Sequence, residues 1–242
     1  EAIIKACEAG GAVAMEPRSW PKYDMALQKN RALYSRLYDS GPIHRDKVLR
    51  WAGFADWLTG RKEPAPKVHL PEDYPRPTVF LVPFSAVKEK QSPPEVFLTI
   101  MEHLKGDYDF VVASAPNDLE TNPEYVSLAN VPGVSFDNSL FEDLAPKLKR
   151  ARLVVSVDTA AMHLAAALGA PTLCLASAAY VNEITPYAAE ITPDNVRFVY
   201  HSMECEGCLG SCPLPPEAGR FPCVARLDIS DILKTIDELL AG

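Results

Sequence analysis

The sequence predicts an α/β fold, in which a doubly wound parallel sheet is preceded by a smaller, mostly helical segment. From residue 78 onward, short runs of β-branched and other apolar residues alternate with longer stretches of helix-forming residues. A helix between two strands returns the chain to the end of the sheet at which the first strand began. Strands separated by helices therefore pair in parallel. A proline-rich stretch at residues 63–77 precedes this pattern, and it predicts an interdomain linker.

The composition is typical of a globular protein. The 242 residues, 48% of them hydrophobic and 23% charged, are enough to form the core of one large or two small domains. The net charge of −8 argues against a nucleic-acid or anionic membrane surface, and no apolar run is long enough to span a bilayer. No signal peptide is visible, and the absence of an initiating methionine at Glu1 suggests a processed or partial product.

Residues 1–62 predict helices that pack on a neighbouring element. A helix-like segment runs over residues 24–38, and a second helical pattern over residues 45–58 carries two tryptophans and a phenylalanine. Aromatic residues at helical spacing are typical of a packed helix face. This segment is therefore expected to be structural.

In the second half, the pattern predicts each element in turn. The predicted strands are 78–84, 108–114, 134–136, 153–157, 172–176 and 195–200. The predicted helices are approximately 93–105, 121–130, 140–150, 160–168 and 229–241. Ligands of such sheets bind beyond the carboxyl ends of the strands, so chemistry is expected in the loops that follow them. Four loops qualify, those after Phe84, Ser114, Val157 and Ser177.

Residues 153–177 carry the clearest strand, turn and helix. The apolar run 153–157 stops at Asp158 and Thr159, either of which can cap the following helix, and Gly169 is suited to end that helix. Free backbone N–H groups and the positive end of the helix dipole then face the carboxyl edge of the sheet. This turn is a predicted phosphate site.

The same stretch resembles the signature of a known family. Residues 158–171 read DTAAMHLAAALGAP, which is similar to the D-T-G-P-M-H-L-A-A-A-L-G-x-P signature of glycosyltransferase family 9. The family contains the ADP-heptose heptosyltransferases of lipopolysaccharide synthesis and their relatives. The resemblance implies the GT-B architecture, two Rossmann-like halves facing a cleft. Residues 78–242 would be the donor-binding half, and residues 1–62, which lack a Gly-rich turn between strand and helix, the end of the acceptor-side half.

The resemblance implies an inverting glycosyltransferase. Such an enzyme moves a sugar, here heptose-like, from a nucleotide-diphosphate donor to a glycan or lipopolysaccharide-type acceptor, and the transfer requires no cofactor. The implied partners are the nucleotide sugar, a glycan or lipid-linked acceptor, and the missing N-terminal half or another subunit. The implied location is the cytoplasm, including the periphery of the inner membrane.

A second segment also resembles this family. Residues 90–97 read KQSPPEVF and match the family's K-x-W-P-x-E-x-F at four positions, with Ser92 in place of the tryptophan. On an exposed loop, the Lys90 ammonium is expected to reach the donor diphosphate as a point charge. The alternative is a solvated charge run over residues 88–90.

The resemblance implies further donor-side residues around the signature. The backbone of residues 159–161 is expected to hold the diphosphate with His163 beside it, and Asp158 to cap the helix or orient the phosphate loop. The resemblance implies that Asp118 or Glu120 accepts hydrogen bonds from the ribose, whereas the loose spacing favours the alternative of an ordinary surface loop. No catalytic base is assigned. The predicted donor-binding residues are Lys90, Asp118, Asp158, Thr159, Ala160, Ala161 and His163.

Several positions on the donor side depart from the family. Ala160 stands where the family has glycine, and its methyl group limits how closely the backbone can approach a diphosphate. A non-catalytic nucleotide-sugar-binding or assembly subunit is therefore an alternative hypothesis. A nucleotide-sugar epimerase of similar shape is a third, although it would not match the Lys90 segment. The departures are Ser92, Ala160, Ala161 and Ser177.

A cysteine-rich loop at residues 203–223 contains four of the six cysteines. This density is consistent with a structural zinc site, an iron–sulfur cluster, two disulfides or free thiols. Many members of the resembled family have a similar cysteine group. The candidate metal ligands are Cys205, Cys208, Cys212 and Cys223.

Overall fold

The chain divides into two units, residues 1–66 and residues 67–242. A six-stranded parallel sheet lies in the second unit. The computed structural model describes residues 10–16, 24–42, 44–65 and 78–241. Of the linker predicted at residues 63–77, the part from 66 to 77 lies outside the described residues.

In its described residues, the first unit combines two helices with a pair of short parallel strands. Its elements are β1 (Val13–Met15), α1 (Asp24–Arg31), β2 (Arg36–Tyr38) and α2 (Lys47–Thr59). The prediction of helix through residue 38 was wrong at its end, because the backbone of β2 pairs with β1 instead of continuing the helix. The Tyr38 ring packs on Phe54 and Trp57, with ring centroids 5.9 and 5.6 Å apart. A partner strand and aromatic packing here override helix propensity.

The sheet of the second unit has a doubly wound order. Its strands are β3 (Thr78–Val82), β4 (Asp109–Ala113), β5 (Val134–Asp137), β6 (Leu153–Val157), β7 (Thr172–Leu175) and β8 (Val196–Val199). They lie in the order β5-β4-β3-β6-β7-β8, and each neighbouring pair is parallel. The predicted α/β fold is confirmed. In this order the connections reverse direction between β3 and β6, which opens a crevice at the carboxyl ends of those two strands.

Helices cover both faces of the sheet. They are α3 (Pro94–His103), α4 (Asp118–Thr121), α5 (Val126–Ala129), α6 (Phe141–Leu148), α7 (Ala160–Ala167), α8 (Pro222–Ala225) and α9 (Ile229–Ala241). The predicted helix at 121–130 is instead two short α-helices on either side of a 3-10 turn, Pro123–Tyr125. Asn122 has φ −130° and ψ 66°, because the proline that follows disfavours the helical conformation.

The core lies on both sides of the sheet, as a parallel sheet requires. In β3, Val79 and Leu81 pack on the face covered by α3 and α9, whereas Phe80 and Val82 pack on the face covered by α6 and α7. All four side chains are almost completely buried. This alternation fixes the register of β3 and therefore the position of the loop that follows it.

Tyr125 anchors that loop from the inside. Its side chain is fully buried, its hydroxyl donates a hydrogen bond to the Ser92 carbonyl at 2.5 Å, and its ring centroid lies 5.1 Å from that of Phe84. Burial raises the pKa of Tyr125 to about 12, against the opposing effect of the Arg220 guanidinium. Folded Tyr125 therefore keeps its proton at pH values where an unfolded tyrosine ionises.

The free energy of unfolding should consequently fall at alkaline pH, and that of Tyr125→Phe should fall less than that of the wild type. The contribution of the raised pKa is complete below pH 10 and is lost as the pH rises to about 12, which removes roughly 2–3 kcal/mol. Urea unfolding of both proteins at pH 9, 10, 11 and 12 measures the difference. An identical decline in the two proteins would contradict this origin.

Candidate functional site

The crevice between β3 and β6 is lined by two turns. A 3-10 turn at Lys88–Lys90 belongs to the loop after β3, and its backbone is closed by the bond from Lys90 N–H to the Val87 carbonyl at 3.1 Å. The Gln91 side chain is buried behind this turn and donates to the Ser85 carbonyl at 2.9 Å. The turn after β6 begins at Asp158. The two turns meet over the carboxyl edge of the sheet.

An ion pair joins them. The Lys90 Nζ lies 2.8 Å from Asp158 Oδ2, and the two side chains are only 11% and 4% exposed. The expectation that Lys90 lies on an exposed loop was wrong, because the 3-10 turn folds back over the end of β6. Asp158 does not cap the helix either. The N-cap residue is Thr159, which makes no side-chain cap hydrogen bond, so the Asp158 carboxylate is the counter-ion of Lys90.

An aromatic ring also contacts the Lys90 ammonium. Its Nζ lies 4.6 Å from the centroid of the Tyr180 ring, a cation–π distance. Tyr180 ends a 3-10 turn, Ala178–Tyr180, in the loop after β7. Burial raises the pKa of the Tyr180 hydroxyl, and the negative charge of Asp158 raises it further. The phenol is therefore neutral at physiological pH, and the ammonium has one charged and one aromatic neighbour.

His163 lies on the other side of Asp158, in the first turns of α7. Its Nδ1 is 2.6 Å from the Tyr187 hydroxyl, and its Nε2 is 3.9 Å from Asp158 Oδ1. The Tyr187 ring stacks on the His163 ring and meets Phe198 edge-on at 5.1 Å. This packing fixes the imidazole, whose side chain remains 36% exposed at the edge of the crevice.

The N-terminus of α7 completes this side of the crevice. Thr159 is extended, with φ −149° and ψ 168°, and the helix that follows has eight residues. The first backbone N–H groups of a helix, here those of Ala160 and Ala161, have no partner within the helix. Ala160 is exposed and Ala161 is buried against α6. N–H groups without a partner in the helix, together with the helix dipole, favour an anion at this position.

Two cavities adjoin this helix end. One of about 350 Å³ lies at the carboxyl ends of β3, β4 and β5, and one of about 470 Å³ lies against the Lys88–Lys90 turn. Asp118 and Thr159 line both, whereas Glu120 is exposed and lines neither. Asp118 Oδ2 accepts a hydrogen bond from the Ala115 N–H at 2.6 Å, which holds the carboxylate at the rim.

The loop after β5 was not among the predicted sites, yet it lines the 350 Å³ cavity. Ser114 Oγ donates to Asn138 Oδ1 at 2.6 Å and joins this loop to the loop after β4. Burial acts to raise the pKa of Asp137, but hydrogen bonds from Lys147 and Ser139 outweigh it and hold that pKa below its usual value. The polar run that follows β5 was a usable signal. Its residues are Asp137, Asn138 and Ser139.

The four cysteines of the cysteine-rich loop lie near one another. Cys223 is buried and the other three are half-buried, and all five cysteines in the described residues are free thiols. Burial raises the pKa of the Cys223 thiol, against hydrogen bonds from the backbone of Ala178 and Ala179 that lower it. Within the described ranges, no three or more His, Cys, Asp or Glu side chains are arranged to hold a metal ion.

The described part of the chain also contains no helix with the length and apolar character needed to cross a membrane.

Comparison with known proteins gives a family match. A family model described as glycosyltransferase family 9 (heptosyltransferase) matches residues 16–205. No curated protein matches the chain.

Several solved structures share the fold. The family 9 glycosyltransferase of Veillonella parvula superposes with a TM-score of 0.66 at 16% identity, covering 97% of this chain and 68% of its own. The E. coli heptosyltransferase WaaC with ADP-2-deoxy-2-fluoro heptose superposes with a TM-score of 0.53 at 20% identity. The match covers 86% of this chain and 60% of WaaC.

A third structure is the iron-containing dodecameric glycosyltransferase TibC of E. coli, with a TM-score of 0.51 at 14% identity, covering 96% of this chain and 79% of its own. The chain spans 51% of the length of the E. coli ADP-heptose LPS heptosyltransferase II and 60% of the length of WaaC.

Proposed function

This chain belongs to glycosyltransferase family 9, and from that membership we propose that it transfers a heptose-like sugar from a nucleotide-diphosphate donor. The proposed acceptor is a glycan or lipopolysaccharide-type molecule, and the proposed outcome is inversion at the anomeric carbon. The observation that carries the proposal is the Lys90 ammonium, fixed beside the N-terminus of α7 at the switch point of the sheet.

The donor diphosphate is proposed to sit between Lys90 and the start of α7. When the bond from sugar to diphosphate breaks, negative charge grows on the leaving oxygen. The N–H groups of Ala160 and Ala161, the helix dipole and the Lys90 ammonium stabilise that charge without needing to reorganise. Asp158 and Tyr180 hold the ammonium in place. This is the chemistry that a leaving diphosphate requires.

The nucleoside is proposed to occupy the cavities beside this anion site. The 350 Å³ cavity is lined mostly by apolar side chains and by the polar loop after β5, a combination suited to a base and its ribose. Asp118 is the proposed ribose acceptor, because its carboxylate lies at the rim of both cavities. His163 is proposed to lie beside the phosphates as a secondary contact.

No base for the acceptor hydroxyl is assigned to this chain. Inverting transfer needs a group that takes the acceptor proton as the new bond forms. The chain covers 60% of WaaC, and the residues assigned to the donor are proposed to contact its phosphates and ribose. The complete activity is therefore proposed for the family's two-halved arrangement.

Calorimetry with nucleoside diphosphates and the matched nucleosides tests the anion site. ADP and UDP should bind more tightly than adenosine and uridine, because only the diphosphates present charge to Lys90 and α7. His163→Ala should weaken diphosphate binding mildly, about 2- to 5-fold. His103→Ala, which removes an imidazole paired with Asp237 elsewhere on the unit, is the matched control and should change nothing.

Equal affinities for nucleoside and nucleoside diphosphate would show that the anion site is misplaced. A product assay with ADP-heptose and an acceptor glycan then separates the two functional hypotheses. Binding without turnover in the complete protein would favour the non-catalytic nucleotide-sugar-binding subunit.

We also propose that the four clustered cysteines hold a structural metal ion, either zinc or iron, or an iron–sulfur cluster. Their thiols interact electrostatically with one another, and backbone N–H groups are directed at the sulfurs of Cys208 and Cys223. Such N–H contacts stabilise thiolates in metal sites. The related TibC is described as iron-containing. In the described residues no three of these thiols are arranged to hold a metal ion, so binding would require the loop to rearrange.

Elemental analysis of the purified protein should find about one zinc or iron site per chain. The double variant Cys205→Ser/Cys208→Ser should lose it. Cys174→Ala, which changes a buried cysteine in β7, is the control and should keep it. Metal-free protein with disulfides among these cysteines would contradict the proposal.

A further inference from the structure

We infer that the cysteine-rich loop is a positioning element of the donor site, and that Arg220 is the residue through which it holds Lys90. The inference rests on the proposed function, because it concerns the ammonium assigned to the diphosphate. Neither the signature helix nor the Lys90 segment suggests it. It follows from hydrogen bonds that link this loop to two turns distant in sequence.

The first link is to the turn that carries Lys90. Arg220 Nε donates to the Gln91 carbonyl at 2.8 Å, and Phe221 N–H donates to the Glu89 carbonyl at 2.9 Å. These two carbonyls flank Lys90 on either side. The Arg220 side chain is only 12% exposed, so its bond to Gln91 is largely shielded from water. The backbone of Lys90 is therefore bracketed by the loop.

The second link is to the turn that carries Tyr180. Gly207 N–H donates to the Ala178 carbonyl at 2.9 Å, and Leu209 N–H donates to the Ala179 carbonyl at 2.8 Å. Gly210 has φ +82°, and a Cβ there would lie 3.1 Å from the Tyr180 hydroxyl. The loop thus lies close to the Tyr180 hydroxyl, and a side chain at position 210 would be in tight contact with it. One segment therefore holds both the turn that carries the ammonium and the turn whose Tyr180 ring contacts it.

Such fixing matters because a lysine carries its charge on a flexible four-carbon stem. Holding its backbone and its aromatic neighbour narrows the positions that the charge can occupy, and a charge already in place binds an anion with less ordering. The charge of Arg220 itself has a nearby partner, since its Nη2 lies 3.9 Å from Glu124 Oε1. Arg220 is therefore assigned to act through Lys90 and not on the donor directly.

We call the two bonds from Arg220 and Phe221 to the Lys90 turn the clamp. Hydrogen exchange of the ligand-free protein tests whether the clamp orders that turn. In Arg220→Met, the amides of Lys90 and Gln91 should exchange about 3- to 10-fold faster, because one of the bonds that order the turn is lost. Arg226→Met is the matched control, since Arg226 pairs with Glu217, is exposed and makes no bond to the turn. In Arg226→Met, the amides of Lys90 and Gln91 should exchange as in the wild type.

Binding of ADP and adenosine tests the consequence. Arg220→Met should weaken ADP about 3- to 10-fold and leave adenosine unchanged, whereas a merely structural effect would weaken both. In a Lys90→Met background, Arg220→Met should cause no further loss of ADP affinity, because the two residues act through one charge. Additive losses would show that Arg220 contacts the donor itself and would overturn the inference.

The remaining outcomes distinguish a failure of the positioning role of Arg220 from a failure of the proposed function. Normal exchange in Arg220→Met together with normal ADP affinity overturns the positioning role alone. Wild-type protein that binds neither ADP nor UDP overturns the proposed function, and the donor role of the clamp with it. Faster exchange and a selective, non-additive loss of ADP affinity support both.

Discussion

Replacing Lys90 with methionine should cost both donor affinity and fold stability. The lost contact to a diphosphate should weaken ADP binding by on the order of 1–3 kcal/mol, the range for a hydrogen bond to a charged group. The free energy of unfolding should also fall by about 3–5 kcal/mol, because Asp158 would be left almost fully buried without its counter-ion. An exposed lysine would show only the first effect.

Lys88 provides a control two residues away. Its side chain is 55% exposed, and its Nζ lies 3.3 Å from Glu124 Oε1. Lys88→Met should change stability by less than about 1 kcal/mol, because exposed ion pairs contribute little. Urea unfolding and calorimetry of the two variants give the comparison. A stability loss in Lys90→Met no larger than that in Lys88→Met would refute the buried pair.

Asp158→Asn should destabilise the protein to a similar degree but strengthen ADP binding. The variant leaves the Lys90 ammonium without an anion in a site shielded from water, at a cost of about 3–5 kcal/mol. A diphosphate can replace the lost carboxylate as counter-ion and no longer meets its repulsion. Affinity for ADP should rise on the order of tenfold, and ADP should raise the melting temperature of the variant more than that of the wild type.

The double variant Lys90→Met/Asp158→Leu separates stability from binding. Replacing both ions with apolar side chains removes the unpaired charge, so stability should return toward that of the wild type. ADP affinity should stay low, because the ammonium is gone. If Asp158→Asn weakened ADP binding as strongly as Lys90→Met does, the carboxylate would be a donor contact and not the counter-ion of Lys90.

The strands and the signature turn could be predicted because their signals are local. The apolar run of β6 and the cap at Thr159 lie within a few residues of each other, and hydrophobic periodicity reports such elements directly. The end of the first predicted helix could not be found in this way. Residues 36–38 become a strand only because residues 13–15 pair with them.

The contacts between the candidate site residues could not be predicted from the sequence. Lys90 and Asp158 are separate candidates in the sequence, and their pairing depends on β3 and β6 lying side by side, which no local pattern states. Tyr180 and Arg220 gave no signal at all. Each reaches the site through a turn or a loop whose position is set by tertiary hydrogen bonds.

The clamp also has a consequence for the protein while it is being made. Gln91 and Arg220 are 129 positions apart, and at roughly 5–20 residues per second the ribosome needs about 6–26 s to pass from one to the other. Through that interval the Lys90 turn exists without the guanidinium that holds it. A nascent chain should therefore acquire affinity for ADP in a late step, after the cysteine-rich loop has emerged from the ribosome and docked.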